Sequence, residues 1–432
     1  MTGQNQHNEA QIQIGPKKKI AFVCSGGATK AGAFHLGVAL ALQEKGFRFK
    51  GGLSSHLQSN LKSEPNGLEI STYVGSSAGS MISSFLASGY SLENIFNSFL
   101  GRKGSSSDPR DNFPKPLPRL TFQKAFKFKA PTLTDQLTQM GKLQKLFTGW
   151  VDGSWDELFN LDWLKVSGIF STAGVEQYMR EEVLPSNSFH DYVPDLFMVA
   201  TQLNHSRKVV FGKPNFQLPP NDLSCEYNHE TSISDACAAS MALPIIFAPH
   251  SIKNGAGQTH HYIDGEIRDT LSTHVAVDHG ADLVIASYTH QPYHLNSEIG
   301  SLTEKGLPAI VIQSIYLLIE QKIHSHIHNK KTQMNAVQAV SDFCKTEGIS
   351  DHQRLRICEI MEAELQFRKN VDTIYIHPSP LDTQLFFGEH FSFSPRKMAE
   401  VVKSGFRSAI ETLKYYEFAD HKPRHAIGTT QL

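Results

Sequence analysis

Ser77 stands in the run Gly75-Ser76-Ser77-Ala78-Gly79, between an apolar stretch, LEISTYVG, and a helical one, SAGSMISSFLASG. A serine becomes a nucleophile when a tight strand-to-helix turn holds its hydroxyl clear of the backbone. The residues two before and two after must then be small. The helix that follows aims unpaired N–H groups and the positive end of its dipole at charge developing beside that hydroxyl. An ordinary glycine-serine turn has the same composition, so the flanking strand and helix are what single Ser77 out.

Two further stretches carry chemistry of the complementary kind. Ser25-Gly26-Gly27-Ala28-Thr29-Lys30 is a glycine-rich turn between a strand and a helix, which converges several backbone N–H groups on one point. It matches neither the Walker pattern nor the dinucleotide G-x-G-x-x-G. An oxyanion hole is the catalytic use of such a turn, and close strand–helix packing is the plainer one. The third stretch, Tyr262-Ile263-Asp264-Gly265, puts a carboxylate at the end of a short apolar run. There it can take a serine proton directly, although an Asp-Gly pair alone is a turn signal. With 21 histidines in the chain, a Ser-His-Asp triad also stays open.

These residues need elements to hold them. KIAFVCS and LEISTYVG read as strands, each followed by a turn and a helix, and two such units within the first hundred residues argue an α/β fold with a mainly parallel sheet. DLFMVATQL, KVVFG, HHYID, GADLVIAS and DTIYIHP read as further strands, and the chain is mostly helical from about residue 296. Residues 1–17 read as a disordered tail, 18–417 as one catalytic domain with a basic and aromatic insertion at about 101–131, and 418–432 as a flexible tail.

Composition narrows the class. The chain has 432 residues, 40% of them hydrophobic, which suffices for a large core. A formal net charge of −1 advertises no nucleic-acid partner. Five scattered cysteines suit a reducing compartment better than a disulfide framework. Neither a secretory signal nor an apolar run long enough to span a bilayer is present, so a cytoplasmic or peripheral membrane location is expected.

Taken together, the three motifs in this order resemble the patatin-like phospholipase family. That family has a glycine-rich oxyanion loop, a G-x-S-x-G serine and an Asp-Gly-Gly or Asp-Gly-Ala aspartate. KAGAFHLGVALALQEKG, VATQLNHSRKVVF and SMALPIIFAPH are also similar to family sequence, and the similarity runs over roughly residues 18–417. It implies a three-layer sandwich with a central, mainly parallel sheet flanked by helices. It further implies a serine carboxylic ester hydrolase of the phospholipase A or lysophospholipase type. In that scheme Ser77 is the nucleophile, Asp264 the general base, and Gly26, Gly27 and Ala28 the oxyanion donors, with Gly75 and Gly79 shaping the elbow. No metal or organic cofactor is required by a Ser-Asp dyad. The partner implied is a phospholipid membrane contacted transiently, and several patatin-like proteins also need an activating protein.

The chain departs from that pattern at three positions. Ala28 and Ala31 replace loop glycines, and Glu266 follows Asp264-Gly265 where a small residue is usual. Glu266 either raises the pKa of the base or points away. These departures keep open a lipid- or partner-binding protein that has lost turnover, beside the triad esterase. Lys30 is read as a structural surface lysine in preference to a lipid-phosphate contact, and His35 as a packed helix residue. Lys124 and Lys127, among Phe122, Phe126 and Phe128, suit an anionic lipid surface or a solvated basic face equally. In QSIYLLIEQKIHSHIHNKK, Ile315, Leu318, Ile319, Lys322 and Ile323 share helical spacing, and His324 and His328 read as solvated imidazoles rather than metal ligands.

Overall fold

The computed structural model of the chain describes residues 11–56, 67–102, 116–125, 127–128, 170–213, 224–244, 246–290, 292, 300–365, 368, 370–379 and 394–419. Most of the basic and aromatic stretch at 101–131 lies outside the described residues, as do the greater parts of both tails.

The main strands of the sheet are β1 (Ile20–Cys24), β2 (Glu69–Ser76), β3 (Asp195–Gln202), β4 (Arg207–Gly212), β5 (His250–Lys253), β6 (Thr259–Asp264), β7 (Leu283–Ser287) and β8 (Asp372–Ile376), with the short strands Arg48–Phe49 on β2 and Cys225–Asn228 on β4. Their order is β5-β6-β3-β2-β1-β7-β8, with β4 also on β3. From β3 through to β8 every pairing is parallel, whereas β5, β6 and β4 join antiparallel. Central parallel strands are covered on both faces and therefore read as unbroken apolar runs. β1 and β7 are buried along their whole length. Alternate residues enter separate cores: Ile20, Phe22, Leu283 and Ile285 on one face, Ala21, Val23, Val284 and Ala286 on the other.

Helices close both faces and make three layers. On the first face lie α1 (Ala28–Glu44), α2 (Ala78–Ser88), α3 (Leu92–Leu100) and, among the later helices, Pro395–Leu413. α4 (Ile233–Ser240) packs on the same core. The second face is covered by α5 (Thr273–Asp278) and by α6 (Leu307–Thr346) through Tyr316, Ile319 and Ile323. The buried stripe of α6 thus includes Ile319 and Ile323 as the spacing predicts, but Leu318 is 60% exposed and belongs to the outer side. His324 and His328 are exposed on that helix. Among the described residues, no helix is long and apolar enough to cross a membrane.

Candidate active site

The predicted elbow forms between β2 and α2. Ser77 caps α2 with φ 53° and ψ −128°, a conformation that costs a non-glycine residue of order 1–3 kcal/mol. Two glycines permit the crowding around it. A Cβ on Gly75 would stand 2.4 Å from the Ser80 Cα, and one on Gly79 2.1 Å from the Cys24 carbonyl oxygen. The Ser77 N–H donates to Ser240 Oγ at 2.8 Å, and that hydroxyl donates onward to the Val199 carbonyl at 2.6 Å. Ser240, at the end of α4, therefore ties the elbow to β3.

Register on β3 brings the acid to the serine. Ser76 pairs with Val199 and Asp264 pairs with Ala200, so the C-terminal ends of β2 and β6 flank β3 from its two sides at neighbouring levels. Ser77 lies close enough to Asp264 that its hydroxyl, as a donor, lowers the carboxyl pKa. Asp264 is 2% exposed, and its Oδ1 accepts the Glu266 N–H at 3.0 Å. Burial pushes the Asp264 carboxyl up to about 6, against the pull of those two donors. A carboxylate with that pKa is ionised at neutral pH yet basic enough to take a proton.

The glycine-rich loop lies beside the elbow because β1 and β2 pair, Cys24 opposite Gly75. Gly27 and Ala28 both have positive φ, 131° and 60°. Four contacts from other elements fix the loop. Ser25 N–H donates to the Ser287 carbonyl at 3.0 Å, and Thr289 Oγ1 donates to the Gly26 carbonyl at 3.0 Å. His35 bridges the Ser25 carbonyl (2.8 Å from Nε2) and Ser287 Oγ (2.7 Å from Nδ1). A carbonyl only accepts, so Nε2 carries the hydrogen and Nδ1 accepts from Ser287. Burial lowers the His35 pKa to about 4 and keeps the ring neutral. Both of its nitrogens are committed to the loop and β7.

The fourth contact is Glu266, which points inward. Its Oε1 accepts the Gly26 N–H at 2.8 Å, and the residue is 1% exposed. Of the three loop amides expected to hold an oxyanion, Gly26 is thus already engaged by a side chain. Burial first, and the nearby Asp264 charge second, hold the Glu266 carboxyl well above the usual range.

Lys30 is not the surface lysine expected from its position in the first turn. It is 5% exposed, and its ammonium lies 5.8 Å from the centroid of the Tyr316 ring. Burial lowers its pKa to about 7. Tyr316 in turn packs edge-on against His290, ring centroids 5.5 Å apart, and feels the Asp264 charge. On the outer surface, Lys124 pairs with Glu182 and Lys127 hydrogen-bonds Gln177. Thr289, Ser240 and Tyr316 carry no signal of their own in the sequence. Only Ser240 falls within a stretch, Ala-Ser-Met-Ala-Leu-Pro, that is similar to a family run.

Among curated proteins, none matches the chain. The family model for patatin-like phospholipases matches residues 22–277, from within β1 into α5, a span that holds all three motifs. That match covers more than half of the 432 residues, and the chain belongs to the patatin-like phospholipase family, a family of lipid acyl hydrolases.

Proposed function

We propose that the chain hydrolyses carboxylic esters of phospholipids or lysophospholipids through a Ser77–Asp264 dyad. The observation that carries this reading is the placement of Ser77 and a buried Asp264 at neighbouring levels, where the C-terminal ends of β2 and β6 flank β3, with the Asp264 carboxyl pushed up to about 6 and Ser77 acting on it as a donor. Ionised Asp264 takes the hydroxyl proton as Ser77 Oγ attacks the ester carbonyl. The oxyanion is held by the N–H groups of Gly27 and Ala28, each such donor worth ~3–4 kcal/mol of barrier. The proton passes from Asp264 to the leaving alcohol as the C–O bond breaks. Asp264 then draws a proton from water, which attacks the acyl-enzyme, and the fatty acid leaves as Ser77 recovers its hydrogen. No metal takes part in this sequence, and the partner it requires is a phospholipid surface.

The test is fatty-acid release from mixed phospholipid vesicles by wild type, Ser77→Ala and Asp264→Asn. Both variants are expected to fold and to lose activity by a factor of roughly 10³ or more. Retained activity in Asp264→Asn would transfer the role of base to a histidine and sink the dyad. A silent wild type would leave the family fold without turnover.

A further inference from the structure

Glu266 is the residue of the site that the dyad leaves without a task. A buried carboxyl beside another carboxyl is unfavourable unless it is neutral or well paired. Its Oε1 has one partner, the Gly26 N–H at 2.8 Å, while Oε2 is buried with no hydrogen-bond partner of ordinary geometry. It and the nucleophile both crowd Gly26: a Cβ built there would stand 3.0 Å from Glu266 Cγ and 3.3 Å from Ser77 Oγ. The loop that it touches carries backbone strain, with Ala28 at φ 60°, and strained loops persist only when surrounding contacts over-determine them.

We propose that Glu266 is a positioning residue that acts as an uncharged carboxylic acid, clamping the glycine-rich loop through Gly26 and slowing turnover when it ionises. The inference rests on the dyad reading given above. In the neutral form Oε1 accepts from Gly26 and Oε2 carries the hydrogen, so no bare charge is buried. In the ionised form a second negative charge stands beside Asp264 and beside the position where the oxyanion develops. That charge opposes both the ionised base and the tetrahedral intermediate.

The surroundings favour the neutral form. Burial, and then the charges of Asp264 and Asp269 on the same segment, raise the Glu266 pKa, while the backbone donor at Gly26 partly offsets them. Asp269 is itself matched by Lys208 on β4 and His274 on α5. From α1 come Lys30 and His35, from the chain after β7 His290, and from α6 Tyr316 and Lys322. Burial keeps His35 and His290 uncharged at neutral pH. Lys30, with a pKa of about 7, also changes charge within the pH interval assayed, so it needs its own control.

The experiment compares wild type, Glu266→Gln, Glu266→Ala, Lys30→Met and Ser77→Ala, each as the full chain, by kcat/KM on phospholipid vesicles from pH 5 to 9. Wild type is expected to rise as Asp264 ionises and to fall again at alkaline pH. Glu266→Gln, a permanently neutral isostere, should stay within about threefold of the wild-type maximum and lose the alkaline fall. Glu266→Ala should lose tenfold or more in kcat while melting cooperatively, and Lys30→Met should keep the alkaline fall. Infrared difference spectra of wild type against Glu266→Gln at pH 7.5 should show a protonated carboxyl band belonging to Glu266, a readout independent of turnover. An alkaline fall that survives in Glu266→Gln, a Glu266→Ala enzyme as fast as wild type, or the absence of that band would each overturn the proposal. Activity remaining in Ser77→Ala would instead bring down the dyad reading, a result distinguishable from all of these.

Discussion

The turn from β1 into α1 and the turn from β2 into α2 lie side by side, and each puts a non-glycine residue at positive φ, Ala28 at 60° and Ser77 at 53°. The means of holding them differ. At the elbow the constraint is mainly backbone against backbone: Gly75 against Ser80, and Gly79 against the Cys24 and Ser25 carbonyls. At the loop the constraint is side-chain hydrogen bonding, from His35 on α1 itself and from the distant Thr289 and Glu266. A position fixed by missing side chains tolerates no addition. One fixed by side chains can be loosened a bond at a time.

The sharpest way to break this contrast is Gly79→Ala. Its Cβ would fall 2.1 Å from the Cys24 carbonyl oxygen and 2.7 Å from that of Ser25, both backbone atoms of the neighbouring turn. Neither can swing aside as a flexible side chain would. Destabilisation of more than about 3 kcal/mol is expected, measured as a shifted denaturant midpoint or as failure to recover folded protein. A Gly79→Ala protein with wild-type stability would show that the elbow can open, and the distinction between the two turns would collapse.

Asp264→Asn probes what the assembled site costs the fold. The folded pKa of Asp264 is raised from 3.8 to about 6. A raised carboxyl pKa means that the folded state binds the proton more tightly than the unfolded chain does. The site is therefore at its most stable below about pH 4, and stability is lost as pH rises through about 6. Above that pH the cost is about 3 kcal/mol at most, at ~1.4 kcal/mol per pKa unit. Asparagine removes the charge and keeps the shape, so the variant should gain about 1–3 kcal/mol at pH 7, with the gain shrinking at pH 4. Urea titrations at the two pH values decide it, and a variant less stable than wild type at pH 7 would remove the burial cost from the account.

How far the sequence revealed this arrangement follows from the same distinction. The elbow is legible because its constraint is local: small residues at fixed offsets around Ser77, between a strand and a helix. The parallel sheet is legible too, since strands buried on both faces leave unbroken apolar runs such as IAFVC and LVIAS. The loop's anchors are not legible. Thr289 and Glu266 reach Gly26 across more than 200 residues of chain, and no offset marks either of them. Glu266 stands out in the sequence only as a charge where the family has a small residue, and whether it points in or away is decided by packing. Lys30 is misread for a related reason. A lysine in a first helical turn is ordinarily solvated, but here α6 crosses over it with Tyr316. Leu318 and Ile319 show the limit of periodicity: both fit the helical spacing, but only Ile319 turns into the core under the sheet.

Two smaller changes separate burial from bonding as the source of the loop's rigidity. Thr289→Val keeps most of the side chain's shape and removes the hydrogen bond to the Gly26 carbonyl. A loss of ~1 kcal/mol in stability and roughly tenfold in kcat is expected, with Thr289→Ser restoring both. Lys124→Ala removes an ion pair of nominally greater strength, with the ammonium 2.8 Å from one Glu182 oxygen. That pair is 41% and 34% exposed, so water and salt already screen it, and ordering two long side chains offsets what remains. Its removal should change stability by less than about 0.5 kcal/mol and leave kcat unmoved, by the same denaturation and vesicle assays. The charged surface pair would then matter less than one neutral hydroxyl, because only the hydroxyl acts where no water can replace it. A Lys124→Ala effect equal to that of Thr289→Val would instead place the constraint on the loop in side-chain bonding wherever it occurs, exposed or buried.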